Sequence, residues 1–413
     1  MAAALLAGCG GSQPPIGASA TMQQRPAIAA ARTIVRRIQP MWSYAVLYSF
    51  SGCRASDGAG PDAGLTDVNG TLYGTTYGGG ANCHRDGWGT VYSISTDGDE
   101  KVLHTFRRDS AGNQPVAGLT NVNGILYGVT AHGRGKHNYG TVYSISTTGK
   151  DKFLFSFDRS DGDDPQGSLT AVNGRLYGTT LDGGSANQGT VFSMTMDGKS
   201  QTILHSFTGG SDGTSPTSGL INVNGTLYGT TYSGGGTGCD IQGGCGTVYR
   251  ISTSGKERVI HRFGGSDGAD PRAGLIEVNG TLYGTTLGGG NTSCGCGTVY
   301  RISTSGKERV IYSFGYGSGG ANPGPLLNVN GTLYGTTNFG GSGCGNLGCG
   351  TVYSVTTSGV EKVLHRFKGS KLGYGPHPEG RLIEVHGTLY GTTQYGGSEC
   401  GEEGCGTVFT LKE

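Results

Sequence analysis

The chain has 413 residues, of which 83 are glycine and only 14% are charged, and its formal net charge is +1. Because it has no basic or acidic run, it offers no electrostatic footprint for a nucleic-acid backbone or an anionic membrane surface, and we expect no nucleic-acid partner. So much glycine is typical of low-complexity sequence unless the glycines recur with a period, and here they do.

The N-terminus ends its first apolar stretch in Leu6-Ala7-Gly8-Cys9, which resembles a bacterial lipobox whose cysteine is lipidated. A signal peptide also needs a basic n-region and a longer apolar segment, and both are missing, as they would be if the start codon were assigned too late. We expect residues 1–9 to be a lipoprotein signal remnant with Cys9 as the lipidation site. An incidental cysteine in an Ala-rich segment is the alternative. Residues 10–42 are typical of a flexible tether.

The motif Leu-Tyr-Gly-x-Thr recurs seven times, with successive copies 50 to 56 residues apart. Its tyrosines are Tyr73, Tyr127, Tyr177, Tyr228, Tyr283, Tyr334 and Tyr390. A period near fifty residues that contains short strands is typical of a β-propeller. The unit that begins at Gly274 carries four strand signals joined by turn residues, which predicts a four-stranded antiparallel meander. These signals are residues 275–278, 281–286, 297–303 and 308–314.

The two ends of the chain complement each other. The first strand signal, Tyr44 to Phe50, matches the fourth strand of a unit, and the last, Gly406 to Leu411, matches the third. If the N-terminal strand becomes the outermost strand of the last unit, no open edge is left. We therefore predict an all-β fold, a seven-bladed β-propeller over residues 43–413 that is closed by an N-terminal velcro strand.

The repeat pattern GLxxVNGTLYGTT…GG…GTVYxIST…GxExVLHxF covers residues 43–413. It resembles the GloVer tandem repeat of bacterial surface proteins with varied anchoring signals and, more distantly, the kelch repeat of propellers. The resemblance implies an exported, propeller-shaped protein of the choice-of-anchor GloVer-containing kind. It carries over no catalytic residues.

Two kinds of long loop are expected on one face of the disc, because the strands of a meander alternate in direction. One kind follows Leu-Tyr-Gly-x-Thr, as in Tyr77 to Gly87, and the other joins successive units, as in Gly265 to Arg272. Since binding residues concentrate on loops held by a rigid scaffold, we place any ligand site on this face. The candidate ligand-binding residues are Tyr77, His84, Arg85, Trp88, His132, Tyr139, Tyr232, Phe339 and Tyr395. The alternative for the aromatic ones is that they fill gaps between loops.

Four close cysteine pairs lie in the equivalent loop of four consecutive units. They are Cys239 and Cys245, Cys294 and Cys296, Cys344 and Cys349, and Cys400 and Cys405. We expect each pair to staple its own loop, and a further bond between Cys53 and Cys83 to link two long loops. Zinc held by cysteines of neighbouring blades is the alternative, although exported chains favour disulfides.

Four of the nine histidines occupy one repeat position that is Tyr48, Phe155 and Tyr312 in other units, so we interpret it as a packing position. These histidines are His104, His205, His261 and His365. We expect no metal and no cofactor. Calcium is the alternative, because Asp-Gly loops offer oxygen ligands, whereas Asx-turns explain the same residues.

No nucleophile elbow, phosphate-binding loop or HExxH motif is present in the sequence. We expect a monomeric, extracytoplasmic binding module for a glycan or a protein at the bacterial cell surface, secreted or held to the membrane only through a lipid anchor. One alternative is a carbohydrate-active enzyme, a lyase or hydrolase, with acid and base on the long-loop face. The other is a structural scaffold without a small ligand.

Overall fold

The computed structural model describes residues 42–413 apart from 53–55, 81–86, 108–111, 134–137, 237–238, 240–243, 342–343, 345–347, 370–374, 399 and 402. The chain divides into a unit of Met1–Pro40 and a compact unit of Met41–Glu413. The predicted signal remnant, Cys9 and nearly all of the tether lie outside the described residues. Within the described part of the chain, no helix is long and apolar enough to cross a membrane.

The compact unit is built almost entirely of short strands. In chain order the strands are β1 (Ser43–Ser49), β2 (Thr66–Val68), β3 (Thr71–Thr76), β4 (Thr90–Ser95), β5 (Glu100–Thr105), β6 (Thr120–Val122), β7 (Ile125–Thr130), β8 (Thr141–Ser146), β9 (Asp151–Ser156), β10 (Thr170–Val172), β11 (Arg175–Thr180), β12 (Thr190–Thr195), β13 (Gln201–Ser206), β14 (Ile221–Val223), β15 (Thr226–Thr231), β16 (Thr247–Ser252), β17 (Glu257–Arg262), β18 (Ile276–Val278), β19 (Thr281–Thr286), β20 (Thr298–Ser303), β21 (Glu308–Ser313), β22 (Ala321–Pro323), β23 (Leu327–Val329), β24 (Thr332–Phe339), β25 (Thr351–Thr356), β26 (Glu361–Arg366), β27 (Ile383–Val385), β28 (Thr388–Thr393) and β29 (Thr407–Lys412). Two single-turn 3₁₀ segments, Gly210–Asp212 and Gly317–Gly319, interrupt the loops.

The strands form seven antiparallel sheets, one for each copy of the repeat, so the predicted seven-bladed propeller with four-stranded blades is confirmed. Six sheets have four strands, and the sixth blade adds the short β22, which pairs with the end of β24. In each blade the innermost strand is only three residues long. It returns through a two-residue turn whose first residue has a φ near +50°; the turn is Asn-Gly in six blades, as predicted, and His386-Gly387 in the seventh.

The two ends of the ring meet in the seventh blade. β1 pairs antiparallel with β29, from Ser43 opposite Lys412 to Ser49 opposite Thr407. On the inside, β27 of the seventh blade contacts β2 of the first, and Oγ1 of Thr392 donates a hydrogen bond to the carbonyl of Ala63 at 3.1 Å. That the β1–β29 pairing is what holds the ring closed in solution stays a prediction.

The hydrophobic core lies between the blades. Seven clusters of buried apolar side chains occupy the seven interfaces between neighbouring blades. At each interface the Phe that follows one blade's outermost strand packs edge-on against an aromatic ring of the next blade, as Phe50 does on Tyr92 at 5.0 Å between ring centroids. That ring covers the glycine of Leu-Tyr-Gly, since a Cβ on Gly74 would overlap the Tyr92 ring. The repeat therefore needs glycine at this position.

The two faces of the disc differ as predicted. The two-residue turns emerge on one face, which we call the short-turn face. On the other, the long-loop face, the loop that joins two blades pairs with the loop between the second and third strands of the same blade, as in Asp163 opposite Asp182 and Thr214 opposite Ser233. This pairing brings both kinds of long loop towards the axis of the ring.

Candidate functional site at the axial mouth

The loop before each innermost strand ends in an x-Pro pair whose first residue has a left-handed backbone. These residues are Gly60, Gln114, Asp164, Ser215, Asp270, Asn322 and His377, and the six that are not glycine have φ between 47° and 58°. Such a conformation costs an L-residue roughly 1 kcal/mol. It is held by main-chain hydrogen bonds, such as Leu181 N–H to the Asp164 carbonyl at 3.0 Å. The proline then directs the next side chain towards the axis.

That next residue is different in every blade. In blade order the seven residues are Asp62, Val116, Gln166, Thr217, Arg272, Gly324 and Glu379. All seven line one cavity of about 540 Å³ on the ring axis, together with Tyr77, Leu287, Asn338 and Phe339. We call these eleven residues the axial mouth. The framework beneath them is nearly the same in every blade, so the sevenfold symmetry is broken where the cavity opens.

Two carboxylates from adjacent blades, Asp62 and Glu379, give the axial mouth an acidic side. Oδ2 of Asp62 accepts a hydrogen bond from Gln394 at 3.3 Å, and Oε1 of Glu379 accepts one from Asn338 at 2.7 Å. Burial, followed by the charge of Glu379, raises the pKa of Asp62 to about 7, against the opposing effects of Gln394 and Arg272. Among the described residues no hydrogen-bond partner reaches the buried Oδ1 of Asp62. This oxygen can accept a donor from a ligand.

Two arginines balance these carboxylates. Arg272 lies at the rim, and Arg381 lies deeper, in an axial cavity of about 440 Å³ that the innermost strands line. Arg381 is exposed to solvent in this cavity. The protein around its guanidinium group nevertheless displaces part of the hydration shell, and this desolvation lowers the pKa of Arg381. The two axial cavities thus present carboxylates and guanidinium groups, together with side-chain amides and a threonine hydroxyl.

Four of the predicted ligand-binding aromatics lie at or near the axial mouth. Tyr77, which is 39% exposed, and Phe339 line it directly. Tyr395 packs edge-on against His377 at 5.8 Å, and Phe339 packs against the same ring at 5.4 Å. Burial and the charge of Asp270 raise the pKa of Tyr232, which places its hydroxyl near the x-Pro loop of the fifth blade. These four rings occupy only two repeat positions, Tyr77 with Tyr232 and Phe339 with Tyr395.

The remaining candidates lie elsewhere. Trp88 and Tyr139 are partly buried and pack against the hydrophobic clusters at two blade interfaces, so they contribute to the packing between blades. His132 pairs through its main chain with Asn113, and its imidazole lies within electrostatic range of Asp163 and Asp164. His84 and Arg85 lie outside the described residues.

The Asp-Gly loops use their carboxylates on the backbone. Asp57 accepts from the Ser51 N–H at 3.0 Å, Asp212 from Thr208 at 2.8 Å and Asp267 from Gly264 at 2.8 Å. These contacts close each loop on itself, as expected for aspartates in tight turns. The calcium alternative stays a prediction.

Four disulfides close the loops after the second strand of four consecutive blades. The pairs are Cys239–Cys245, Cys294–Cys296, Cys344–Cys349 and Cys400–Cys405, each as predicted. Cys53 and Cys83 lie outside the described residues. Disulfides of this number persist in oxidising compartments, which fits an extracytoplasmic protein.

Sequence reasoning missed the polar residues of the axial mouth, chiefly Asp62, Arg272, Asn338 and Glu379. The signal that could have found them is the repeat itself. With the units aligned on Leu-Tyr-Gly, the residue after the loop proline shares one position in six units and lies one residue closer in the sixth unit, at Gly324. It differs in every unit, whereas most strand positions hold one residue type or a close substitute. Candidates chosen for aromatic rings or imidazoles do not include this position, because none of its seven residues is aromatic or a histidine.

The chain is similar to one described family and, more distantly, to several solved structures. A family model described as the Gloeobacter/Verrucomicrobia repeat matches residues 29–241 and 239–413. No curated protein matches the chain. Among solved structures, a nidogen/laminin complex is similar with a TM-score of 0.43 and 13% identity, over 68% of this chain and 91% of that chain. The computationally designed Ika8 protein has a TM-score of 0.47 and 14% identity, over 88% and 98%. The tricorn protease has a TM-score of 0.44 and 12% identity, over 80% and 27%.

Proposed function

The chain belongs to the Gloeobacter/Verrucomicrobia repeat family, and we propose that it is an exported, non-catalytic binding module that holds a glycan at the axial mouth. The observation that carries the proposal is the row of seven different residues at one repeat position around an axial cavity. Packing alone does not require a different residue in each blade, because the strands beneath these residues are nearly identical from blade to blade. A ligand without sevenfold symmetry requires a surface of this kind.

The chemistry of the axial mouth favours a glycan. Sugar rings present hydroxyl groups on their edges and C–H groups on their faces. Carboxylates, amides and guanidinium groups bind the edges, and Asp62, Asn338 and Arg272 supply them. Planar rings stack on the faces, and Tyr77 and Phe339 stand beside these polar groups. A cavity of about 540 Å³ also lies in the size range of small-ligand sites, whereas protein partners dock on flatter surfaces.

We also propose export with attachment through a lipid on Cys9. The four disulfides support an oxidising environment, and the Leu-Ala-Gly-Cys sequence supports the anchor. Mass spectrometry of the protein isolated from its own cells tests this. A mature N-terminus at Cys9 with a diacylglycerol adduct is expected, and an unprocessed chain contradicts it. Sedimentation of the detergent-extracted protein as a monomer is expected as well.

A glycan array tests the binding function. Wild-type protein is expected to bind a defined set of oligosaccharides, and Tyr77→Ala and Phe339→Ala are each expected to reduce binding tenfold or more. Loss of a stacking ring in a binding pocket costs this much, about 1.4 kcal/mol or more. Val360→Ala is the matched control, because Val360 is 67% exposed on the short-turn face. Equal loss in the control, or no glycan bound by the wild type, contradicts the proposal.

A carbohydrate-active enzyme, a hydrolase or lyase, is the second candidate, and the Asp62–Glu379 pair favours it. A carboxyl group with a pKa near 7 beside a second carboxylate is the arrangement by which glycosidases obtain a general acid and a base. Mass spectrometry of the oligosaccharides after incubation separates the two candidates. Cleavage that Asp62→Asn abolishes, while binding survives, supports the enzyme. Oligosaccharides that are bound but stay intact support the binding module. If the protein neither binds nor cleaves any glycan, the remaining functions are a protein-binding module and a scaffold.

A further inference from the structure

Two blade interfaces far from the axis carry the same three-residue cluster. At the interface of the third and fourth blades it consists of His205, Asp212 and Glu257, and at the interface of the fourth and fifth blades of His261, Asp267 and Glu308. Within each cluster one imidazole nitrogen and two carboxylate oxygens all lie within 4.8 Å of one another. The histidine stands near the end of one blade's outermost strand, the aspartate on the following loop, and the glutamate begins the outermost strand of the next blade.

The imidazole satisfies only one of the two carboxylates. Nε2 of His205 lies 3.2 Å from Oδ2 of Asp212, and Nε2 of His261 lies 3.0 Å from Oδ2 of Asp267. In both clusters the buried Oε1 of the glutamate has no hydrogen-bond partner among the described residues, and the same holds for Glu100 and Glu361 at two other interfaces. Each glutamate thus places one carboxylate oxygen, without a donor among the described residues, close to the aspartate and the histidine.

A third interface shows what the cluster becomes without the histidine. Between the seventh and first blades, Asp57 and Glu100 take the places of the aspartate and the glutamate, and Tyr48 takes the place of the histidine. The Tyr48 hydroxyl lies 2.8 Å from Oδ2 of Asp57 and 3.4 Å from Oε2 of Glu100, so its oxygen stands between the two carboxylates. The histidine clusters lack this bridge.

We propose that each histidine cluster is a binding site for a divalent transition-metal ion, with Zn²⁺ as the probe. One imidazole nitrogen and two carboxylate oxygens are a ligand set that such ions accept, and the remaining coordination positions are filled by water. The ion takes the bridging position that the Tyr48 hydroxyl fills at the third interface. It would tie two neighbouring blades together at their outer edge.

The surroundings of the two sites leave room for an ion to enter and rank the sites. The two histidine side chains are 21% and 17% exposed, which leaves a path for the ion. At the first site Arg262, the last residue of β17, donates from Nε to the Ser211 carbonyl at 3.1 Å, and its positive charge acts on Glu257. We therefore expect the second site, at His261, to bind zinc more tightly.

The test is the zinc content of the full chain. After treatment with EDTA and removal of the chelator, the protein is dialysed against buffered Zn²⁺, and bound metal is measured by plasma mass spectrometry and by calorimetric titration. Wild type is expected to bind two ions at these sites. His205→Tyr and His261→Tyr are each expected to lose one, the tighter event disappearing in the second, and the double variant both. Both substitutions introduce the residue that Tyr48 provides in the same position.

His365→Tyr is the matched control, since it changes the same repeat position at an interface where the ring stacks on Tyr44 at 4.0 Å. It is expected to keep both ions. If a tyrosine variant does not fold, Glu257→Gln and Glu308→Gln replace it, because Gln201 holds that position in a sister blade. The proposal is overturned if the double variant retains as much zinc as the wild type, or if the control loses as much as either single variant.

Discussion

At the residue scale, the buried aromatic between blades carries a hydroxyl that its neighbours do not use. In five blades this ring is a tyrosine whose buried oxygen has no hydrogen-bond partner among the described residues, and in two it is Phe192 or Phe409. The repeat thus tolerates both rings in the same packing position. The shape of the ring, more than its oxygen, is what the interface requires.

Tyr249→Phe is therefore expected to stabilise the protein by about 1 kcal/mol, because it removes a buried polar atom that has lost its hydration. The measurement is the free energy of unfolding in denaturant. Tyr48→Phe is the control with the opposite sign, since the Tyr48 hydroxyl is bonded to Asp57 at 2.8 Å. If both variants destabilise equally, the Tyr249 hydroxyl has a partner after all.

The raised pKa of Asp62 predicts a pH dependence of stability. Its pKa is about 7 in the folded protein and 3.8 in the reference state, so between about pH 4 and 7 the folded chain keeps a proton that the unfolded chain releases. The contribution of Asp62 to stability therefore falls as the pH rises through this window. Asp62→Asn is expected to gain stability relative to wild type from pH 4 to pH 7. A difference in unfolding free energy that stays constant across these pH values contradicts the assignment.

The residues of the axial mouth show why a site of this kind escapes sequence reasoning. Asp62, Gln166, Thr217 and Glu379 are ordinary polar residues in loops, and none belongs to a motif. They become a site only because the ring brings seven equivalent loop positions to one axis. Trp88 and Tyr139, which stand out by composition, pack instead between blades.

At the element scale, the strand types and turns followed from the sequence almost to the residue. The unit read as strands at 275–278, 281–286, 297–303 and 308–314 has strands at Ile276–Val278, Thr281–Thr286, Thr298–Ser303 and Glu308–Ser313. The alternation of polar and apolar residues and the Asn-Gly turns are local signals, so strands and turns can be predicted from them without knowledge of the fold. The additional β22 in the sixth blade extends to two pairs what is an isolated bridge in other blades, and no local sequence pattern marks it.

The role of β1 can be tested through Tyr44, which contacts the ring of His365 on one side and those of Phe367 and Phe409 on the other. If β1 closes the ring, Tyr44→Ala is expected to destabilise the whole propeller by about 3 kcal/mol, in the range for loss of a packed aromatic. Tyr44→Phe is the control and is expected to keep most of this stability. A wild-type melting temperature for Tyr44→Ala means that β1 contributes nothing to closure.

The loop disulfides have a smaller, local effect. Cys344 and Cys349 are five residues apart in sequence, and a loop this short restricts the unfolded chain by about 2 kcal/mol. Replacing both with Ala is expected to lower the unfolding free energy by that amount. Hydrogen exchange is expected to speed up in this loop but not in β24 or β25. Faster exchange throughout the blade contradicts a local role.

At the scale of the whole molecule, the number of blades followed from counting the repeat, whereas the position of the site did not. A period of about fifty residues and two complementary chain ends fix seven sectors in a ring, and the alternation of strands fixes which face carries the long loops. Asp62 and Glu379 are far apart in sequence but are neighbours in space, and the order of the residues does not show this. Only the closed ring shows this.

The central claim is that the ligand binds where the sevenfold symmetry is broken. The most direct measurement is the crystal structure of the protein with the oligosaccharide that binds best on the array. We expect a sugar on the axis of the long-loop face, within hydrogen-bond distance of Asp62 or Glu379 and in contact with Tyr77 or Phe339. A sugar bound on the short-turn face or at the outer edge of the blades, with the axial mouth unchanged, would contradict it.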